Sequence, residues 1–197
     1  MNINISISKE FGWQEYIFDD YRVWFKGYLI DDCIDDFFHE GQELLNQKYI
    51  KIDMFAQWIK SIRGHFSIII YNSSQLFCAV DWVRSIPLFY SYDDNQIYIT
   101  SNPTELVDKH ELNLDLDNTE AALQIAMSGY TIDEQTLCTG ISQLQAGECI
   151  LVNENKTSVH RYYRYSPWNT VSENKGKLKF ELINLLKDMF TSVAKSC

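Results

Sequence analysis

The sequence shows no long hydrophobic runs, no signal-peptide pattern at its start and no closely spaced cysteine pairs. Its longest apolar runs are a few residues, which is too short for a transmembrane helix, and no basic start followed by an apolar run marks a signal peptide. The five cysteines are odd in number and widely spaced, so we expect neither a zinc site nor a disulfide framework. Reduced thiols without a leader predict a cytoplasmic protein.

Acidic residues outnumber basic ones, 27 to 17, so the formal net charge is −10. This charge argues against nucleic acid or an anionic membrane as the main partner. Acidic residues crowd residues 31–40, where a solvated helix face is the simpler interpretation and a cation site the alternative, although no calcium-loop spacing occurs. The four histidines have no ligand-like neighbours, no Ser/His/Asp set can be argued, and no Gly-rich phosphate loop is present. We therefore expect no metal and no cofactor.

What the sequence does contain is a hydrophobic content of 46% and an aromatic content of 14%, which indicate one globular core. Alternating residues at the N-terminus predict a half-exposed strand, and Lys26-Gly27 is expected to bend or bulge a second strand. Asp53 is expected to cap one helix. The segment Asp117-Asn118-Thr119 is expected to cap another, which Gly129 stops. Many strands and few helices predict an α+β fold.

The most informative segment is residues 63–90. It reads as two buried strands around the turn 72–75, followed by a polar segment with one proline and an aromatic strand. Within it, Asp81 and Arg84 flank a turn, for which an internal salt bridge is the favoured role. Later in the chain, residues 135–148 carry a Thr-Leu, Gly-Ile and Leu-x-x-Gly series, and residues 161–163 read Arg-Tyr-Tyr.

In this order, these motifs resemble the N-terminal class II glutamine amidotransferase domain of asparagine synthetases, from about Val23 to Tyr165. The resemblance implies a four-layer α-β-β-α sandwich of two antiparallel sheets, of the N-terminal nucleophile (Ntn) hydrolase type, here abbreviated at the N-terminus. It also implies a cysteine nucleophile directly after the initiator Met, with its own α-amine as the base. Residue 2 is instead Asn, whose amide cannot attack a carboxamide. Ser6 and Ser8 would serve only after a cleavage that nothing in the sequence predicts.

Two further pairs implied by the resemblance are altered. The oxyanion-hole Asn-Gly pair matches Lys26-Gly27, so a flexible cation replaces the side-chain donor. The family's Asp-Gly pair, whose carboxylate holds the substrate ammonium group, matches Arg63-Gly64, and a guanidinium repels that group. The segment before Lys26 also has no room for the usual glutamine-binding loop. These losses predict a degenerate glutaminase domain with no catalytic residue and a vestigial pocket at Lys26, Gly27, Arg63 and Gly64.

Three functions follow from this interpretation. The leading one is a structural, glutaminase-inactive domain of an asparagine-synthetase-like amide-forming enzyme, which supports a synthetase domain or a dimer. The second is a binding module that holds a small anion between Lys26 and Arg63. The third is a residual glutamine amidotransferase. The chain has no Ser-Gly-Gly-x-Asp-Ser pyrophosphate loop, so ATP-dependent ligase activity is not expected of it alone.

We expect two regions along the chain. Residues 1–165 form the glutaminase-like domain, and residues 166–197 form a linker and an amphipathic helix over 178–194 that leads towards a synthetase domain. The expected partners are an ATP-pyrophosphatase-type synthetase domain, in cis or in trans, and a second copy of the chain. The chain is expected to be either a piece of a longer protein or a standalone relic.

Overall fold

Two β-sheets form most of the larger of two units in this computed structural model. It describes residues 2–8, 12–30, 33–47, 51–93, 96–110, 118–153, 156–166, 168 and 174–196. The larger unit spans residues 1–164 and the smaller spans residues 165–197. The strands of the larger unit are β1 Asn2–Ser6, β2 Gln14–Ile17, β3 Tyr21–Leu29, β4 Gly64–Asn72, β5 Gln75–Val80, β6 Phe89–Asp93, β7 Gln96–Thr100, β8 Ser142–Gln143, β9 Glu148–Asn153 and β10 Lys156–Arg161.

The large sheet has the strand order β10-β9-β5-β4-β3-β2, and all its pairings are antiparallel. Strand β3 pairs with β4 over its whole length, from Tyr21 opposite Asn72 to Leu29 opposite Gly64. The predicted bend or bulge at Lys26-Gly27 is therefore wrong. Gly27 instead lets the two backbones approach closely, because a Cβ there would lie 1.9 Å from the carbonyl oxygen of His65.

The small sheet has the order β1-β7-β6-β8. Strand β1 runs parallel to β7, with Asn2 opposite Gln96 and Ser6 opposite Thr100, whereas the other two pairings are antiparallel. The expectation of two purely antiparallel sheets is thus corrected for β1. A parallel pair needs a long connection, and most of the larger unit separates these two strands in sequence.

Three apolar clusters separate four layers. Helices α1 (Ile34–Leu45) and α2 (Ile52–Ser61) pack Phe37, Phe38 and Phe55 against one face of the large sheet. The opposite face packs Ile69 and Val80 against Ile97 and Ile99 of the small sheet. Helix α3 (Pro103–His110) contributes Leu106 to a cluster on the outer face of the small sheet. The α+β sandwich of two sheets between helices is confirmed.

Strands β4 and β5 are apolar on both faces because both faces of the large sheet are covered. Ile68 and Ile70 point towards the helices, while Ile69 points towards the small sheet, and all three are fully buried. Burial of each such side chain contributes about 1.5–3 kcal/mol. Cys78 is likewise fully buried, as expected of a small core residue.

The helix ends test the capping predictions. Helix α4 (Thr119–Ser128) begins after Asn118, whose side chain accepts a hydrogen bond from the Ala121 amide, and ends at Gly129 with a φ of 82°. Both predictions for α4 are confirmed. The predicted Asp53 cap is wrong, because α2 begins earlier and Lys51 is its N-cap.

The smaller unit contains helix α5 (Lys175–Ser196). Its large apolar side chains are exposed: Leu178, Phe180, Leu182, Ile183, Leu185, Leu186, Met189, Phe190 and Val193. Lysines and acidic residues interrupt them, and no helix in the described ranges is both long and apolar enough to cross a bilayer. Within its own unit, α5 therefore presents an uncovered apolar surface.

Candidate functional site

Lys26 lies on the face of the large sheet that looks towards the small sheet, at one end of the sandwich. It lines a pocket of about 280 Å³ together with Trp13, Ile86, Pro87, Ser101 and Asn102. The pocket combines one ammonium group, a hydroxyl and an amide with apolar walls. Such a set of groups can hold a small anion, because a partly buried cation attracts it and the polar groups orient it.

Gly27 and Gly64 are both backbone contact points between β3 and β4. Gly27 is opposite Phe66 with a φ of 118°, and Gly64 is opposite Leu29. A Cβ at Gly64 would lie 2.3 Å from the carbonyl oxygen of Tyr28. These glycines are therefore required by the close strand pairing itself, whatever their relation to a ligand.

Arg63 precedes β4 and is exposed. Its carbonyl oxygen accepts a hydrogen bond of 2.8 Å from the amide of Ile30. It lies outside the described lining of the Lys26 pocket. Lys26 thus lines this pocket, whereas Arg63 lies on the surface just before β4, and the vestigial pocket shared by the two residues stays a prediction.

Residue 2 lies far from Lys26-Gly27. Asn2 and Asn4 line a separate pocket of about 330 Å³ with Tyr71 and the β4–β5 turn. Along β4, Tyr71 is five residues beyond Phe66, the partner of Gly27. At about 3.3 Å per residue this corresponds to roughly 16 Å. The first residue of β1 and the matched oxyanion pair therefore occupy opposite ends of the sandwich.

The other end of the N-terminal segment approaches the Lys26 pocket. The amide of Ser8 donates to the hydroxyl oxygen of Ser101, 3.1 Å away, and Ser101 lines that pocket. The hydroxyl of Ser6 donates to the Glu105 carboxylate at 3.1 Å. These two serines lie inside the chain, so neither carries the free α-amine that an N-terminal nucleophile uses as its base.

Asp81 organises the turn after β5 and is buried, with 1% of its surface exposed. Its carboxylate accepts hydrogen bonds from the backbone amides of Phe66, Val83 and Ser85, at 3.1, 2.8 and 3.1 Å. The partners of the carboxylate are thus backbone amides rather than the Arg84 guanidinium that the sequence favoured. Arg84 is half-buried, which lowers its pKa, while the Glu148 carboxylate opposes that shift.

The same turn carries a contact that sequence reasoning missed. The Ser85 hydroxyl oxygen lies 2.6 Å from Nδ1 of His65, which is twenty residues earlier in the chain. Sequence reasoning argued no Ser/His/Asp set, and it did not anticipate this serine–histidine pair. No local spacing marks this pair, because the β4–β5 hairpin and the Asp81 turn bring the two residues together.

Three further titratable side chains near the end of the larger unit contact structural neighbours. Tyr162 is buried, donates its hydroxyl proton to the carbonyl oxygen of Val80, and has a strongly raised pKa because of that burial. Its neighbour Tyr163 stacks on Trp82. His160 lies 3.9 Å from Asp53. Within the described ranges, no cluster of three or more His, Cys, Asp or Glu side chains is arranged to hold a metal ion.

Two of the solved structures that match this chain illustrate a distant likeness. A glutamine phosphoribosylpyrophosphate amidotransferase from B. subtilis is 10% identical, with a TM-score of 0.41, and the match covers 78% of this chain and 31% of that one. A second structure, described as the allosteric regulatory enzyme of purine biosynthesis, is also 10% identical, with a TM-score of 0.41 and coverage of 75% and 30%. The matched part of each chain is thus less than a third of its length.

Sequence comparison gives a family assignment. No curated protein matches the chain. The family model of the glutamine amidotransferase domain matches residues 42–163, which include α2, the β4–β5 hairpin, both strands β6 and β7, and strands β8 to β10. This match covers more than half of the chain, and the chain therefore belongs to the glutamine amidotransferase domain family.

Proposed function

We propose that this chain is a glutamine amidotransferase-like domain that has lost glutaminase chemistry and serves as a structural support in an asparagine-synthetase-like, amide-forming system. The observation that carries the proposal is the distance of roughly 16 Å along β4 between the level of Asn2 and that of Gly27. An amide side chain at residue 2 is chemically inert towards glutamine, and its position also separates it from the matched oxyanion pair. Loss of one oxyanion donor alone typically costs a factor of about 10²–10³ in rate.

Glutamate release from glutamine tests the loss of activity. We expect the wild-type protein and the Asn2→Cys variant both to release glutamate at the buffer rate, because a thiol at residue 2 still lies far from the Gly27 amide. Wild-type turnover above buffer, or a covalent adduct with a glutamine-mimicking diazoketone near the N-terminus, contradicts the proposal. If the Asn2→Cys variant turns glutamine over and the wild type does not, the result contradicts the claim that residue 2 lies too far from Gly27 to react.

The supporting role rests on α5 and is a proposal of its own. Its exposed leucines, including Leu182 and Leu185, form a surface of the kind that interfaces bury. We expect sedimentation velocity to show a concentration-dependent dimer that Leu185→Glu abolishes and that Lys187→Glu, on the same helix, preserves. A protein that is monomeric at every concentration contradicts the dimer, and a pyrophosphate loop encoded beyond Cys197 would then support a synthetase domain as the partner.

A cytoplasmic location is proposed as well. It is supported by the free state of the four described cysteines, namely Cys33, Cys78, Cys138 and Cys149. Disulfides persist mainly in oxidising compartments.

One observation favours a second function, the binding of a small anion. Lys26, Ser101 and Asn102 converge on the 280 Å³ pocket, which is large enough for a small carboxylate. Calorimetry with glutamate and with inorganic phosphate tests this function. Binding that is lost in Lys26→Met and kept in Arg63→Ala supports an anion site in this pocket, and the absence of heat in the wild-type protein excludes it.

A further inference from the structure

We propose that Ser85 and His65 form a nucleophile–base pair that cleaves esters of small carboxylic acids that carry a second, anionic group. The Ser85 hydroxyl oxygen and the His65 Nδ1 atom are 2.6 Å apart, within the reach that proton abstraction from a nucleophile requires. This activity uses neither residue 2 nor glutamine. It is therefore separate from the glutaminase chemistry that the family performs.

The backbone around Ser85 is held in a defined position. The Ser85 amide donates to the buried Asp81 carboxylate at 3.1 Å, and that carboxylate also holds the amide of Val83. Arg84, between them, has a φ of 55°, a conformation that non-glycine residues adopt at a cost of about 1–3 kcal/mol. Ser85 is nevertheless exposed. The turn thus fixes the backbone of an accessible serine, which is what a nucleophile needs.

The base is held by the large sheet. His65 is in β4, directly opposite Tyr28 in β3, and the two rings contact each other with centroids 5.4 Å apart. With Ser85 donating to Nδ1, the imidazole carries its own proton on Nε2. This arrangement leaves Nδ1 free to take the hydroxyl proton as the serine attacks.

A cation and a pocket lie beside the pair. Lys26 is opposite Ser67, and Tyr28 is opposite His65, so Lys26 and His65 are diagonal neighbours on one face of the sheet, about 7–8 Å apart. Ile86, the residue after Ser85, lines the 280 Å³ pocket together with Lys26. A short acyl chain in this pocket places its far carboxylate near the Lys26 ammonium group. For this reason we expect an ester that carries a negative charge to be preferred.

The reaction has two balanced steps. The Ser85 oxygen attacks the ester carbon, its proton passes to His65 Nδ1, and the alcohol leaves with that proton as the carbon–oxygen bond breaks. Water then attacks the acyl-serine, gives one proton to His65, and releases the carboxylic acid as the Ser85 oxygen takes that proton back. No oxidant, metal or further reactant is needed.

Labelling with a fluorophosphonate followed by peptide mass spectrometry tests the nucleophile. We expect an adduct on Ser85 in the wild-type protein, none on Ser85 in His65→Gln, and unchanged labelling in Ser74→Ala, which alters an exposed serine of the β4–β5 turn. Absence of the Ser85 adduct, or equal labelling in His65→Gln, overturns the proposal. Ser85→Ala alters an exposed side chain, and a thermal unfolding curve that matches the wild type verifies that it folds.

Hydrolysis of two nitrophenyl esters tests the substrate class. We expect Ser85→Ala and His65→Gln to lower kcat/KM at least 100-fold, since positioned bases contribute about 10²–10⁴ in rate. Lys26→Met is expected to raise KM about tenfold for the mono-4-nitrophenyl ester of a short dicarboxylic acid, and to leave KM for 4-nitrophenyl acetate unchanged. Equal effects on the two esters overturn the role of Lys26, and wild-type hydrolysis equal to that of Ser85→Ala overturns the activity.

Discussion

Replacement of Asp81 by Asn removes a buried charge while keeping the side-chain shape. The carboxylate accepts hydrogen bonds from three backbone amides. One oxygen accepts from the amides of Phe66 and Ser85, and the other accepts from the amide of Val83. The Asn amide keeps one oxygen acceptor, which can serve Phe66 and Ser85, and turns its NH₂ group towards the Val83 amide. One hydrogen bond is therefore lost, and two change from charge-assisted to neutral.

The expected cost follows from these three bonds. A charge-assisted bond is worth about 1 kcal/mol more than a neutral one, and an amide left without its acceptor costs about 1–3 kcal/mol. The neutral amide avoids part of the desolvation cost of a buried charge. We therefore expect Asp81→Asn to lower the free energy of unfolding by about 2–3 kcal/mol.

Urea unfolding followed by tryptophan fluorescence measures this loss. With an m value near 2 kcal/mol/M, the midpoint should fall by about 1 M. Asp19→Asn, which changes an exposed carboxylate, is the matched control and should stay within about 0.5 kcal/mol of the wild type. Equal midpoints for the two variants would refute the view that Asp81 organises the turn, and with it the fixed position of Ser85.

Two further predictions concern backbone contact and alkaline stability. Gly27→Ala should lower the free energy of unfolding by about 3 kcal/mol or more, since its methyl group meets the His65 carbonyl oxygen. Gly12→Ala is the control, because Gly12 has a φ of 77° but open space around it, so this variant measures only the cost of backbone strain. Equal urea midpoints for the two variants contradict the close contact at Gly27. Burial raises the pKa of Cys149 from 9.0 to about 12. Between these two values the unfolded chain loses the thiol proton while the folded protein keeps it. The free energy of unfolding should therefore be unaffected by this group below pH 9 and should fall towards pH 12 by up to about 1.4 kcal/mol per pH unit. Urea midpoints from pH 8 to 11 should therefore fall less steeply in Cys149→Ala than in the wild type, and parallel slopes contradict this assignment.

Local features were the most predictable part of the fold. The Asn118 cap and the Gly129 terminator of α4 depend on single residues that interact with the adjacent turn, so the sequence pattern was sufficient. The alternation of Ile3 and Ile5 predicted β1, and both side chains pack against the cluster between the sheets. The predicted Asp53 cap was wrong because α2 already begins at Ile52, whose side chain packs against the cluster between the helices and the large sheet.

Features that depend on strand pairing were missed. Strand β2 (Gln14–Ile17) has only four residues and lies at an edge of the sheet, so its pattern is too short to recognise. Lys26-Gly27 suggested a bulge, although Gly27 serves close contact within an unbroken ladder. The position of Lys26 between the sheets likewise depends on its register opposite Ser67 in β4, which the spacing in sequence does not encode.

By itself, the sequence determined the alternating strands, the α4 caps and the presence at residue 2 of an amide that cannot attack a carbonyl carbon, because these properties belong to single residues or to their immediate neighbours. Only the tertiary structure decided that Asn2 and Gly27 occupy opposite ends of the sandwich, and that Ser85 meets His65. Strand register and sheet packing set these distances, and they result from many contacts between residues that are remote in sequence.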